Sequence, residues 1–192
     1  MRRKTFDTLA SGAGLLIAVV LLVTGALGLW AYSFVNSQVH DQLAAQQIYF
    51  PPAGSAAIAG PQFAALQQYA GQQLTTGAQA EAYANHFIAV HLSEVAGGKT
   101  YAQVSSAAMA DPNNAALAGQ VATLFKGTTL RGMLLNAYAF WQMGQIALIA
   151  SIVCFVSALV LLVLSIFGLV HARRVPVEAE VLAPRVAVPV GV

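Results

Sequence analysis

Two stretches of the chain carry no polar rhythm. No charged residue occurs between Asp7 and Asp41, and LLIAVVLLVTGALGLWAYSFV inside that gap is almost wholly apolar. A second uncharged run, GQIALIASIVCFVSALVLLVLSIFGLV, covers 144–170. As helices, 9–35 and 144–170 would each extend about 40 Å, enough to cross a bilayer with some tilt.

Between the two runs the pattern becomes helical and interrupted. Val39, Leu43 and Ala44 continue the first helix to about Gln47, and the prolines of IYFPPAGS end it. Phe63, Leu66, Ala70 and Leu74 follow helical spacing from Pro61. Thr76 is a cap for a helix over about 78–96 that stops at Gly97–Gly98. Thr100 caps a short helix carrying Tyr101, Val104 and Ala108. Asp111–Pro112 reads as a cap with proline at the first helical position. From there a stripe of Leu117, Val121, Leu124 and Phe125 leads past Gly127 into the second apolar run. No strand-like alternation occurs. The fold class is therefore all-α: two antiparallel transmembrane helices with a helical domain inserted between them.

Composition supports lipid as part of the solvent. Of 192 residues 58% are hydrophobic and 8% charged, too few charges to cover a surface in water. The net charge of +2 comes with no dense basic patch, which argues against nucleic acid as a partner. Cys154 is the sole cysteine, so no intramolecular disulfide can form.

Arginine and lysine set the orientation. Arg2, Arg3 and Lys4 precede the first run, and Arg173 and Arg174 follow the second, whereas the long middle segment has Lys99, Lys126 and Arg131. The positive-inside rule places both termini in the cytoplasm. The expected organisation is a basic cytoplasmic N-terminus (1–8), a span (9–35), an extracytoplasmic helical domain (36–143), a second span (144–170) and a disordered cytoplasmic tail (171–192). The protein is then a multi-pass plasma-membrane protein. MRRK would also suit a cleaved signal peptide, but the apolar run is too long and no clean A-x-A site follows. Trp30 and Tyr32, with Tyr138 and Trp141, sit near the span ends as in an aromatic belt.

The expected contact between the spans lies at small residues. Setting Leu9 beside Val170 and Val35 beside Gly144 places Gly25 opposite Cys154 and Gly28 opposite Ser151. The competing stripe Ala10–Gly14–Ala18 meets Leu169, Ser165 and Leu161, and is expected to face away.

Candidate chemistry is sparse. HFIAVHLSE sets His86, His91 and Glu94 within one helix. On a helical wheel Glu94 lies about 60° from His91, but His86 lies about 140° away, so the two histidines do not share a metal-binding face. His91 and Glu94 are weak metal candidates that need a third ligand, such as His40 or Asp41. The alternative is a half-buried His91 bonded to a backbone or tyrosine oxygen. Tyr49 and Phe50 would suit a small-ligand pocket under IYFPP, or would anchor that loop at the interface. No G-x-S-x-G, H-E-x-x-H or P-loop pattern occurs. No catalytic residue, bound metal or cofactor is therefore expected.

The blocks IYFPP, YAGQQLTTGAQAEAYANHFIAVHL and FKGTTLRGMLLNAYAFW resemble a family of small two-pass actinobacterial membrane proteins, along nearly the whole chain. Its members are often labelled aromatic ring-opening dioxygenase. That label implies iron held by two histidines and a carboxylate, a set these residues do not offer at workable spacing. The expected function is a non-enzymatic accessory, scaffold or interaction protein of the cell envelope. Its partners would be the bilayer and either another envelope membrane protein or further copies of itself. The alternatives are the labelled metal-dependent dioxygenase and a ligand-binding sensor subunit without its own transmitter.

Overall fold

Helix α1 is unbroken over Arg3–Ala45, and the chain returns through α5, Ala115–Arg174. The computed structural model describes residues 2–176 and 179–181. Of the tail expected to be disordered, 177–178 and 182–192 lie outside the described residues, while α5 continues to Arg174. His171, Arg173 and Arg174 occupy its last turn, where cations complement the helix dipole. The remaining elements are α2 (Gly77–Ala82), α3 (Ala89–Ala96) and α4 (Tyr101–Ala110), with 3₁₀ segments at Ala56–Ile58 and Pro61–Tyr69 and a π-helical turn at Tyr83–Ile88. Among the described residues, strand-type pairing is limited to two isolated bridges. The fold is all-α.

The chain divides into two compact units, and α1 and α5 contribute to both. The first comprises Met1–Trp30 and Ala147–Val192. Here α1 and α5 run antiparallel, in contact along small residues. Ser151, Ala158, Ser165 and Ala172 on α5 are all buried, each seven residues from the next, as are Ser11, Ala18 and Gly25 on α1. A seven-residue repeat keeps one seam facing its partner when helices wind gently left-handed around each other. The approach is close. A Cβ on Gly14 would overlap Ser165 Oγ, one on Gly28 would overlap Ser151 Oγ, and one on Gly168 would overlap Ser11 Oγ.

Two expectations change here. The Gly14–Ala18 stripe does not face away: Ala18 is fully buried and Gly14 touches Ser165. Its seam partner is Ser11 rather than the exposed Ala10, so contact continues along α1. At Gly25, the group that a side chain would meet is the Phe155 ring, not Cys154. The outward surface of this unit is apolar: Leu16, Val20, Val23, Leu159, Leu164 and Phe167 are all more than half exposed.

The second unit is Ala31–Ile146. Gln47 ends α1 by taking a left-handed conformation (φ 52°), and the Ala44 carbonyl accepts from Gln47 N–H at 3.1 Å and from the Gln73 side chain at 2.8 Å. Backbone bonds Phe50 N–H to Gln72 O (2.9 Å) and Leu74 N–H to Ile48 O (2.8 Å) then clamp two extended strips together. This clamp buries Phe50 and Leu74 beside Leu43, Ile58 and Leu66, the five largest fully enclosed side chains. Full burial of such side chains stabilises by roughly 1.5–3 kcal/mol each. The segment from Pro61 is a 3₁₀ helix that ends at Tyr69 rather than an α-helix reaching Leu74. Its buried residues, Phe63 and Leu66, are three apart, matching the tighter period.

Capping follows the sequence closely. Thr76 with Gln79, and Thr100 with Gln103, form reciprocal capping boxes. Gly97 (φ 57°) closes α3, with Gly98 N–H bonded to Ser93 O at 2.8 Å, the Schellman arrangement. Asp111 instead terminates α4, and Asn114 caps α5 by accepting from Leu117 N–H at 3.1 Å. Asp111 is turned to the Asn114 side chain (3.0 Å), so the cap moves three residues past the aspartate. Gly127 leaves α5 unbroken. It lets Leu92 pack so near that a Cβ would collide with it.

Candidate functional site

His91 lies on α3, half-buried, with Nδ1 2.8 Å from the Phe87 carbonyl. A carbonyl only accepts, so Nδ1 carries the proton and donates. The imidazole, the Phe87 ring (centroids 4.4 Å apart) and the Phe63 ring (5.6 Å) form a triangle, with the two phenylalanines 6.5 Å from each other. The cluster continues from Phe87 to Tyr83 (4.7 Å, tilted) and from Tyr83 to Phe50 (5.2 Å, edge to face). Burial raises the Tyr83 phenol above its ordinary 10.0. This histidine is thus one member of an aromatic cluster. Glu94 is exposed, and His40 pairs with Asp41 at 3.2 Å on the surface of α1. Among the described residues, no three His, Cys, Asp or Glu side chains are grouped to hold a metal.

The π-helical turn at Tyr83–Ile88 was not visible in the periodicity. One extra residue in the turn shifts the phase of the wheel drawn through His86. It presents Asn85 between two charges: Asn85 Nδ2 donates to Glu81 Oε1 at 2.7 Å, and Arg131 Nη2 donates to Asn85 Oδ1 at 2.8 Å. Arg131 Nε is buried without a hydrogen bond. The relay ties α5 to α2.

The aromatic pairs expected at the span ends differ in their surroundings. Trp30 is 67% exposed, and Tyr32 is half-buried near Gly144. Tyr138 stacks on Trp141 with centroids 6.1 Å apart. Trp141 presses on Gly77 at the start of α2, where no Cβ would fit. Tyr49 is exposed, while Phe50 is part of the core, so the two rings do not face a common space. In the first unit, Asp7 Oδ2 is buried 3.9 Å from His171 Nε2, too far for a hydrogen bond.

In the second unit a groove of about 500 Å³ lies between α1 and α5. Val35, Val39 and Leu43 supply its floor, and Phe34, Met133 and Phe140 its walls. Its polar groups are all amides: Gln38, Gln42 and Gln46, spaced by four along one face of α1, and Asn136 on α5. No charged residue lines it. Such a lining can hold an uncharged amphipathic molecule, but it supplies no nucleophile and no group that titrates near neutral pH. Sequence reading missed this groove, although the four-residue glutamine spacing on an otherwise apolar helix is its signal.

No protein-family model, curated protein or solved structure matches the chain.

Proposed function

We propose that this chain is a two-pass plasma-membrane protein acting as a non-enzymatic accessory or interaction protein of the cell envelope. Both termini are cytoplasmic, and the helical unit between the spans is extracytoplasmic. The observation that carries the reading is the sleeve of outward Leu, Ile, Val and Phe on the first unit, on two helices each long enough to cross a bilayer. A continuous apolar surface of that extent calls for lipid rather than water. The flanking arginines and lysines support the orientation, and the resemblance to small two-pass actinobacterial proteins agrees with it. His91 has no companion ligands: among the described residues no three His, Cys, Asp or Glu side chains are grouped around it or elsewhere.

Crosslinking in intact cells, followed by purification in mild detergent, tests the interaction role. A defined envelope partner or a discrete homo-oligomer is expected. A lone monomer after efficient crosslinking contradicts it. Metal analysis tests the enzyme alternative: stoichiometric iron that is lost on His91→Ala would restore the dioxygenase reading.

A further inference from the structure

We infer that Asp7 and His171 form a proton-operated clasp, which ties the basic ends of α1 and α5 together when His171 is protonated and releases them when it is neutral. Asp7 lies near the start of α1 and His171 in the last turn of α5, so the pair closes the seam one turn beyond the contact of Ser11 with Gly168. The Asp7 side chain is 19% exposed, and its Oδ2 is buried without a hydrogen bond. A carboxylate oxygen enclosed in this way has lost the donors that water supplies, a cost that stands until another donor reaches it. Among the described residues, the one ionisable group that pairs with Asp7 is His171, with Nε2 at 3.9 Å.

Both side chains line a cavity of about 290 Å³ together with Ser11, Gly14, Ser165 and Gly168. Gly14 and Gly168 put no side chain into it, so the imidazole has room to advance. An advance of about 1 Å brings Nε2 to the roughly 2.8 Å of a charge-assisted hydrogen bond. The His171 side chain is 53% exposed, so its ring exchanges protons with water. Imidazole is the side chain that ordinarily changes charge between about pH 5 and 8, a range in which carboxylates stay ionised. The other charged groups at this end are Arg2, Arg3 and Lys4 at the start of α1, Arg173 and Arg174 on α5, and Glu180 in the segment that returns to Arg2. All of them hold their charge through that range, and among the described residues none pairs with Asp7. Protonated His171 donates from Nε2 to Asp7 Oδ2, and loss of the proton removes the attraction. The clasp therefore adds stability below the imidazole range and loses it as pH rises through that range. It needs only the helix pair, and holds whichever side of the membrane carries these ends.

The test is a double-mutant cycle on the full chain in mixed micelles, with unfolding by dodecyl sulfate followed by circular dichroism. Asp7→Asn, His171→Gln and the double variant are compared with the parent at about pH 5.5 and about pH 8.5, on either side of the imidazole range. The cycle removes the contributions of His40, His86 and His91, which are common to all four proteins. At the lower pH the coupling between the two positions should amount to about two- to fivefold in the unfolding equilibrium constant, the range for a partly exposed pair. At the higher pH it should vanish. His171→Arg, charged at both pH values, should keep its coupling to Asp7 at both. No coupling at the lower pH, or equal coupling of the parent pair at both, overturns the clasp. Coupling in the arginine variant that still fades at the higher pH places the titrating group elsewhere and overturns it as well.

Discussion

Gly28 of α1 and Ser151 of α5 approach so closely that any side chain on the glycine would collide with the serine hydroxyl. Ser151 Oγ meanwhile donates to the Ala147 carbonyl at 2.7 Å, one turn back on its own helix, so the hydroxyl is satisfied within α5. The pair is joined by shape rather than by a hydrogen bond. In a Cys154→Ala background, Gly28→Cys with Ser151→Cys should therefore crosslink on mild oxidation. Gly12→Cys with Ser165→Cys should not, because Gly12 faces open space. The opposite pattern would show that the helices pack through other faces.

Trp141 and Gly77 give a second close approach, inside the helical unit. Gly77→Val must displace the indole or the start of α2. Overpacking of this kind costs about 1–3 kcal/mol. Thermal unfolding followed by tryptophan fluorescence should show the loss, whereas Gly119→Ala, with nothing near its Cβ, should leave the midpoint unchanged or higher.

The Glu81–Asn85–Arg131 relay predicts a coupled loss. Asn85→Leu strips a partner from each of two charged groups and should destabilise by about 1.5–3 kcal/mol. A double-mutant cycle with Arg131→Met should then be strongly non-additive. Additive effects would mean that the relay does not act as a unit.

Tyr83 predicts a pH dependence. Its folded pKa is raised by burial, so the neutral phenol is favoured in the native state. The associated stability is complete below the unfolded value of 10.0 and is lost as pH rises through the higher folded value. Chemical unfolding between pH 9 and 12 should show this decline, and Tyr83→Phe should flatten it. An identical decline in the variant would assign the effect to other groups.

Much of the fold was legible because local chemistry dictated it. Thr76 and Thr100 each precede a glutamine by three residues, and Gly97–Gly98 can close a helix in a left-handed turn. The apolar runs follow from length and composition alone. What escaped depends on tertiary context. The π-helical turn at Tyr83–Ile88 has no residue signature, and shifts the histidine wheel by one residue. Asp111 and Asn114 are both good caps, and their mutual hydrogen bond decided between them. The seam is only partly legible because the register that sets Gly25 opposite Cys154 also sets Ala10 and Ala18 opposite leucines, which makes the Gly14–Ala18 stripe look unfit for contact. The repeat of small residues every seven positions from Ser151 to Ala172 extends contact to Ser11 and Gly14. His91 is legible as a half-buried residue bonded to a backbone or tyrosine oxygen, and the choice of the Phe87 carbonyl depends on the helical turn that precedes it.

The most direct test of the two-span account is cysteine accessibility in intact, wall-permeabilised cells lacking Cys154. Met109 is 74% exposed in the helical unit, and Val181 is exposed beyond the end of α5. Met109→Cys should react with a membrane-impermeant maleimide in intact cells, and Val181→Cys should react only after lysis. Equal reaction of both before lysis, or the reverse order, would contradict the account.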